Sequence, residues 1–114
     1  MKVLDFNSFI RPALHLVMKD DQQTTVDVTA PTTGMVEEVR ANLPTLQAVL
    51  RGEQNEAQVA ALYDLAARLI TCNADGLQFT AETLRKKYRL KLYDLFIFYT
   101  MYVEFLDEIK HAKN

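Results

Sequence analysis

The stretch Leu92-Tyr93-Asp94-Leu95-Phe96-Ile97-Phe98-Tyr99-Thr100-Met101-Tyr102-Val103-Glu104-Phe105-Leu106-Asp107-Glu108-Ile109 decides how this chain folds. Its spacing predicts a helix from about Leu92 to Ala112. Phe96, Ile97, Phe98, Tyr99, Met101, Tyr102, Val103, Phe105 and Leu106 leave almost no polar face through its middle. A helix apolar all round is enclosed by protein or by lipid. The most apolar run, residues 95–103, is nine residues long with Thr100 as its one polar member. Spanning a bilayer takes about 20 apolar residues, so membrane insertion is excluded. Two readings remain. The helix threads the centre of the domain, or one of its sides meets another chain. Complete enclosure is hard with about four helices and one hairpin, so the contact reading is the stronger.

Working backward, Thr80 is placed to cap a short helix reaching Tyr88, with Glu82 in its first turn. The turn Asn73-Ala74-Asp75-Gly76 closes a longer helix from about Asn55 to Cys72. Asn55 with Gln58 resembles a capping box. Val59, Leu62, Tyr63, Ala66, Leu69 and Ile70 follow the i, i+3, i+4, i+7 rule. Before it, Pro31-Thr32-Thr33-Gly34 offers threonine caps, and Glu37 and Glu38 are expected in the first turn that follows. Met35, Val36, Val39 and Leu43 continue at helical spacing. Pro44 then interrupts, and a separate helix Pro44 to Leu50, closed by Gly52, is expected.

The first third reads as β. In Leu14-His15-Leu16-Val17-Met18 the leucines and the methionine share a face, with His15 on the other. In Thr25-Val26-Asp27-Val28-Thr29 the two valines do the same. The polar link Asp20-Asp21-Gln22-Gln23 has hairpin length. Val3 to Phe6 adds a short third strand in this reading, and Pro12 marks the bend that follows it. A lone hairpin is marginal in water, so its apolar face should cover the helices.

The fold expected is α+β: a small N-terminal β-hairpin packed on a mainly α-helical domain. The 114 residues are one domain, with 1–30 the hairpin region and 31–114 the helical region. Hydrophobic residues are 49% and charged residues 25%, which argues for a folded core rather than disorder. The net charge of −2 makes non-specific nucleic-acid binding a poor default. Met1-Lys2-Val3-Leu4-Asp5 reads as a native start, because Asp5 interrupts any signal-peptide apolar region. The single cysteine, Cys72, has no internal disulfide partner and suits a reducing cytoplasm. Late in a helix, it reads as a small buried hydrophobe rather than a nucleophile.

Chemistry is sparse. His15 and His111 have no histidine or cysteine at ligand spacing, so no metal site is expected. The acid pairs Asp20-Asp21, Glu37-Glu38 and Asp107-Glu108 fall in a turn, a helix start and a solvated helix end. None suggests the shielded cleft of acid–base catalysis. The three glycines stand apart and form no phosphate loop, and Ser8 is the one serine, so no nucleophile elbow exists. No cofactor and no catalytic residue is expected, and the chain reads as a non-enzyme.

One charge cluster stands out: Arg85, Lys86, Lys87, Arg89 and Lys91 put five of the 13 basic residues within seven positions. A helix-turn-helix drawn here would send Leu95 to Tyr99 into a DNA groove, which their apolar character forbids. The cluster reads as a solvated stripe, with an acidic patch on a protein partner as the alternative role for Arg85 and Lys86.

Two motifs order the chain further: Phe79-Thr80-Ala81-Glu82-Thr83-Leu84, and the helix in which Asp94, Leu95, Phe98, Tyr102 and Phe105 match a D-L-x-x-F-x-x-x-Y-x-x-F spacing. With the hairpin before them, they resemble the tail assembly chaperones of long-tailed phages and of prophages in Gram-positive bacteria. The resemblance implies a cytoplasmic protein that coats the tape measure protein and keeps it soluble while the tail tube protein polymerises around it. It also implies a longer, frameshifted form that recruits the tube subunit. The ending Ala112-Lys113-Asn114 can be encoded by a slippery A-AAA-AAC heptamer. The chain is expected to self-associate and to bind partners through Phe98, Met101, Tyr102 and Phe105, because aromatics and methionine tolerate varied apolar helices. Alternative readings are a tail-completion or connector subunit, or a small oligomeric regulatory protein.

Overall fold

A computed structural model describes Lys2, residues 12–53 and residues 55–111. The third strand expected at Val3 to Phe6 lies outside the described residues, as do residues 112–114. Two strands, β1 (Leu14–Val17) and β2 (Thr25–Val28), precede four helices: α1 (Thr33–Leu50), α2 (Glu56–Thr71), α3 (Ala81–Lys86) and α4 (Leu92–His111). The class is α+β, as the sequence predicts.

The strands pair antiparallel with Leu14 opposite Val28 and Leu16 opposite Val26. This register puts Leu14, Leu16, Val26 and Val28 on one face and leaves Val17 on the other with His15. Val26 and Val28 are fully buried, and Met18 is buried beside them. His15 and Asp27 are opposite each other on the outer face, with Nδ1 and Oδ1 2.5 Å apart. Asp20 holds the turn. Its carboxylate accepts from the Thr24 backbone N–H at 2.8 Å and from the Thr24 hydroxyl. Gln23, at φ +49°, donates its N–H back to the Asp20 carbonyl.

The outer edge of β2 is covered. Asp27 accepts from the Ala74 N–H at 3.0 Å, and Thr29 donates to the Cys72 carbonyl at 2.8 Å. The turn that does this is organised by Asn73. Its amide donates to the Ile70 and Leu77 carbonyls at 2.8 Å, and its Oδ1 accepts from the Asp75 and Leu77 N–H groups. The sequence signal for a turn at residues 73–76 is thus also the joint between hairpin and helices.

Thr32 caps α1, accepting from the Met35 N–H at 3.3 Å. Two expectations are corrected here. Glu37 and Glu38 lie beyond the first turn, because the helix starts at Thr33. Glu38 instead pairs with Arg68 of α2 at 2.6 Å. Pro44 starts no new helix: α1 runs through it unbroken to Leu50. Proline removes one donor and crowds the preceding turn, a cost of roughly 3 kcal/mol in an isolated helix. Val39, Leu46 and Val49, buried on both sides of it, offset that cost by packing.

α2 occupies the centre. It touches α1, α3, α4 and β2. Val59, Leu62, Tyr63, Leu65, Ala66, Ala67, Leu69 and Ile70 are all buried. Each of its fully buried leucines contributes roughly 1.5–3 kcal/mol relative to exposure. Asn55 caps it, accepting from Ala57 and Gln58 N–H groups. Cys72, at its C-terminal end, is half-buried, with Sγ 3.8 Å from the sulfur of Met35.

α3 begins with a reciprocal capping box between Thr80 and Thr83. It is shorter than the sequence suggests, ending at Lys86, because Arg89 turns the chain at φ +54°. Lys91 stands just before α4, and the Asp94 carboxylate accepts its N–H at 2.8 Å.

Candidate partner-binding surface

The helix that reads as apolar all round has two different sides. At 100° per residue, Leu95, Phe98, Tyr99, Tyr102 and Phe105 form one stripe, and all five are buried. Phe98, Tyr102 and Phe105 stack along it with ring centroids 5.5 and 5.7 Å apart. The Tyr99 hydroxyl donates to the Leu62 carbonyl at 2.6 Å, tying α4 to α2. The Tyr102 hydroxyl is buried and finds no hydrogen-bond partner among the described residues. Burial pushes both phenols well above the ordinary tyrosine range.

Of the four α4 residues expected at an interface, Phe98, Tyr102 and Phe105 therefore sit in the core. Met101 is 46% exposed. The outward apolar residues are Tyr93, Phe96, Ile97, Met101 and Val103. They form two ridges, one on each side of the helix's exposed face. Tyr93, Ile97 and Met101 follow each other at four-residue steps, while Phe96 and Val103 lie seven apart on the other flank.

Each ridge borders a groove. The larger, of about 550 Å³, runs between α1 and α4. Val36, Val39 and Leu43 form one wall, and Val103, Leu106 and Ile109 the other. Arg40 and Lys110 on its rim supply positive charge, and Glu104 and Asp107 negative charge. The smaller, of about 250 Å³, lies between β1 and α4, lined by Leu14, Leu16, Val17, Ile97, Phe98 and Met101. Both walls of the large groove carry apolar residues at helical spacing in the sequence. What the sequence lacks is any sign that α1 and α4 leave a gap between them.

The basic cluster lies elsewhere, and the structure does not bring it to either groove. The Arg85 guanidinium stacks 4.7 Å above the Tyr63 ring and lies 3.6 Å from Glu56. Burial pushes the Tyr63 hydroxyl up, against the pull of that guanidinium. Lys86 pairs with Glu82 at 3.5 Å. Arg89 donates to the Lys19 carbonyl at 3.0 Å. Lys86, Lys87 and Arg89 face Asp20, Asp21 and Gln22 of the hairpin turn across a shallow cleft. Much of the acidic surface opposite these bases thus belongs to the chain itself. Lys19 reaches from the hairpin to Asp94 at 2.6 Å. Burial raises the Asp94 carboxyl, but the hydrogen bonds from Lys19 and the Lys91 N–H outweigh it and hold the group below the ordinary range.

Among the described residues no three histidine, cysteine or acidic side chains converge as metal ligands. No described helix is long and apolar enough to cross a membrane. No family model, no curated protein and no solved structure matches this chain.

Proposed function

We propose that this protein is a phage tail assembly chaperone that binds apolar helices of the tape measure protein and keeps them soluble while the tail tube polymerises. It acts by binding, without catalysis or nucleic-acid contact, in the cytoplasm of the bacterial host. It self-associates, and the tail tube protein is its second partner. The motif around Asp94, Leu95, Phe98, Tyr102 and Phe105 supplies the family resemblance. The single observation that supports the reading in structural terms is the apolar groove between α1 and α4. Its two walls present side chains of two helices to a third. That is the geometry of helix-in-groove recognition, where an amphipathic segment lays its apolar stripe between two helices. The mixed charges of the rim accept polar flanks of either sign.

The test is co-expression with the tape measure protein of the same genome, reading the soluble fraction of that protein. Val36→Glu and Val103→Glu each put a carboxylate into one wall. Val103 is 39% exposed, so its change leaves the core intact. Both variants are expected to melt like the wild type and to lose most of the soluble tape measure protein. Undiminished solubilisation by both would refute the groove as the site. Stoichiometric amounts of the chain in finished particles would replace the chaperone reading with that of a structural tail subunit.

A further inference from the structure

Among the described residues the sheet has two strands, and its two edges differ. In an antiparallel ladder, alternate residues turn their backbone groups toward the partner and away from it. Asp27 spends its N–H on the Asp75 carboxylate and its carbonyl on Ala74, so Asp27 points away from β1. Val26 and Val28 therefore point toward β1, where they meet Leu16 and Leu14. The Met18 N–H bond to the Thr24 carbonyl continues the same phase. It follows that His15 and Val17 turn their N–H and C=O groups outward from β1. Nothing among the described residues bonds to them.

Among the described residues this edge has little protection beyond its shortness. Leu14–Val17 contains no proline and no lysine, and no described element covers it. Directly beneath it opens the smaller groove, where Leu14 and Leu16 face Ile97, Phe98 and Met101. Val17 beside it is 59% exposed. An extended segment laid along β1 would satisfy the outward backbone groups and cover Ile97 and Met101 in one step. Edge and groove are one site.

We infer that the occupant is β1 of a second copy, paired antiparallel about a two-fold axis at Leu16. The sequence is self-complementary in that register. Leu14 falls opposite Met18 of the other copy, Leu16 opposite Leu16, and all of these lie on the apolar face. His15 falls opposite Val17, and these two exchange the backbone hydrogen bonds. No like charges meet, whereas an axis at Val17 would oppose His15 to Lys19. The result is a four-stranded sheet whose inner face covers Ile97 and Met101 of both copies. Such an isologous contact closes on itself. A four-residue edge and one small groove make a modest contact, so the dimer is expected to be reversible rather than obligate. It lies on the opposite flank of α4 from Val103 and does not rest on the proposed chaperone role.

The experiment is sedimentation equilibrium of the full chain from micromolar to near-millimolar concentration. The wild type is expected to pass from monomer to dimer across this range. Val17→Pro removes one outward donor while leaving the β1–β2 ladder intact, and Val17→Lys adds a charge to the edge. Each is expected to weaken dimerisation at least tenfold with an unchanged melt. Register is read separately with Leu16→Cys in a Cys72→Ala background. Non-hydrogen-bonded partners have Cα atoms about 4.5 Å apart, within disulfide reach, so oxidation should link two chains. A wild type that stays monomeric throughout overturns the proposal. So does a dimer indifferent to both Val17 changes, because it then uses another surface.

Discussion

Two tyrosines one helical step apart in α4 provide a sharp test of the core. Tyr99 and Tyr102 are both buried, and both hydroxyls have left water. They differ in what they found. Tyr99 donates to the Leu62 carbonyl at 2.6 Å, whereas the Tyr102 hydroxyl has no partner among the described residues. A satisfied buried hydrogen bond contributes about 1 kcal/mol net, while an unsatisfied hydroxyl costs about 1–3 kcal/mol. Tyr99→Phe should therefore destabilise by about 1 kcal/mol. Tyr102→Phe keeps the ring and its stacking with Phe98 and Phe105, removes the orphaned oxygen, and should stabilise by about 1 kcal/mol. The two variants then differ by about 2 kcal/mol, which for a domain of this size separates their melting temperatures by about 8 °C. Urea denaturation, with equal slopes for the three proteins, gives the free energies, and calorimetry gives the temperatures. A Tyr102→Phe variant less stable than the wild type by 1 kcal/mol or more would refute the reasoning. Its hydroxyl would then have a partner, such as a buried water, that makes it an asset. Alkaline titration gives a second reading. The folded pKa of both phenols is raised, so their contribution is whole below the ordinary value of 10.0 and is lost as pH rises above it. Tyrosinate absorbance from these two should appear only with unfolding.

Pro44→Ala restores a helical N–H to α1 and relieves the crowding of the preceding turn. It should raise stability by about 2 kcal/mol in urea melts, and a loss instead would show that the buried wall of Val39, Leu46 and Val49 depends on the proline's geometry. Asp94 has its carboxyl held low by Lys19 and the Lys91 N–H, so its contribution is present above the ordinary value of 3.8 and fades as pH falls below it. Thermal melts in acid should show wild type losing stability toward low pH more steeply than Asp94→Asn, and parallel curves would deny the tie between hairpin and α4.

The fold was legible wherever periodicity and capping spoke together. Leu14, Leu16 and Met18 against Val26 and Val28 fixed the faces of the hairpin by a period of two. Asn55, Thr80 and Thr32 marked three helix starts, because only short polar side chains satisfy the first free N–H groups. Pro44 misled, since a local cost of helix breaking is a weak prior against packing on both sides of it. The candidate surface was half legible. An apolar stretch from Leu92 to Ile109 announces a helix with more apolar surface than one core contact needs. It does not say which side turns inward, because nothing in the pattern distinguishes Phe98 from Phe96 or Tyr102 from Val103.

The sequence by itself determined the α+β class, the inward face of each hairpin strand, the helix caps and the excess of apolar surface on the last helix. These follow from local rules: alternation, helical spacing and side-chain capping act between neighbours along the chain. Tertiary structure decided the rest. It made α2 the enclosed helix, sank Phe98, Tyr102 and Phe105, and left Ile97, Met101 and Val103 outside. It covered one sheet edge with the Asn73 turn, while no described residue pairs with the other. The reason is that facing is a property of pairs of elements. Which side of an all-apolar helix is buried depends on where α1, α2 and β1 stand around it, and that arrangement is set by contacts between residues far apart in sequence.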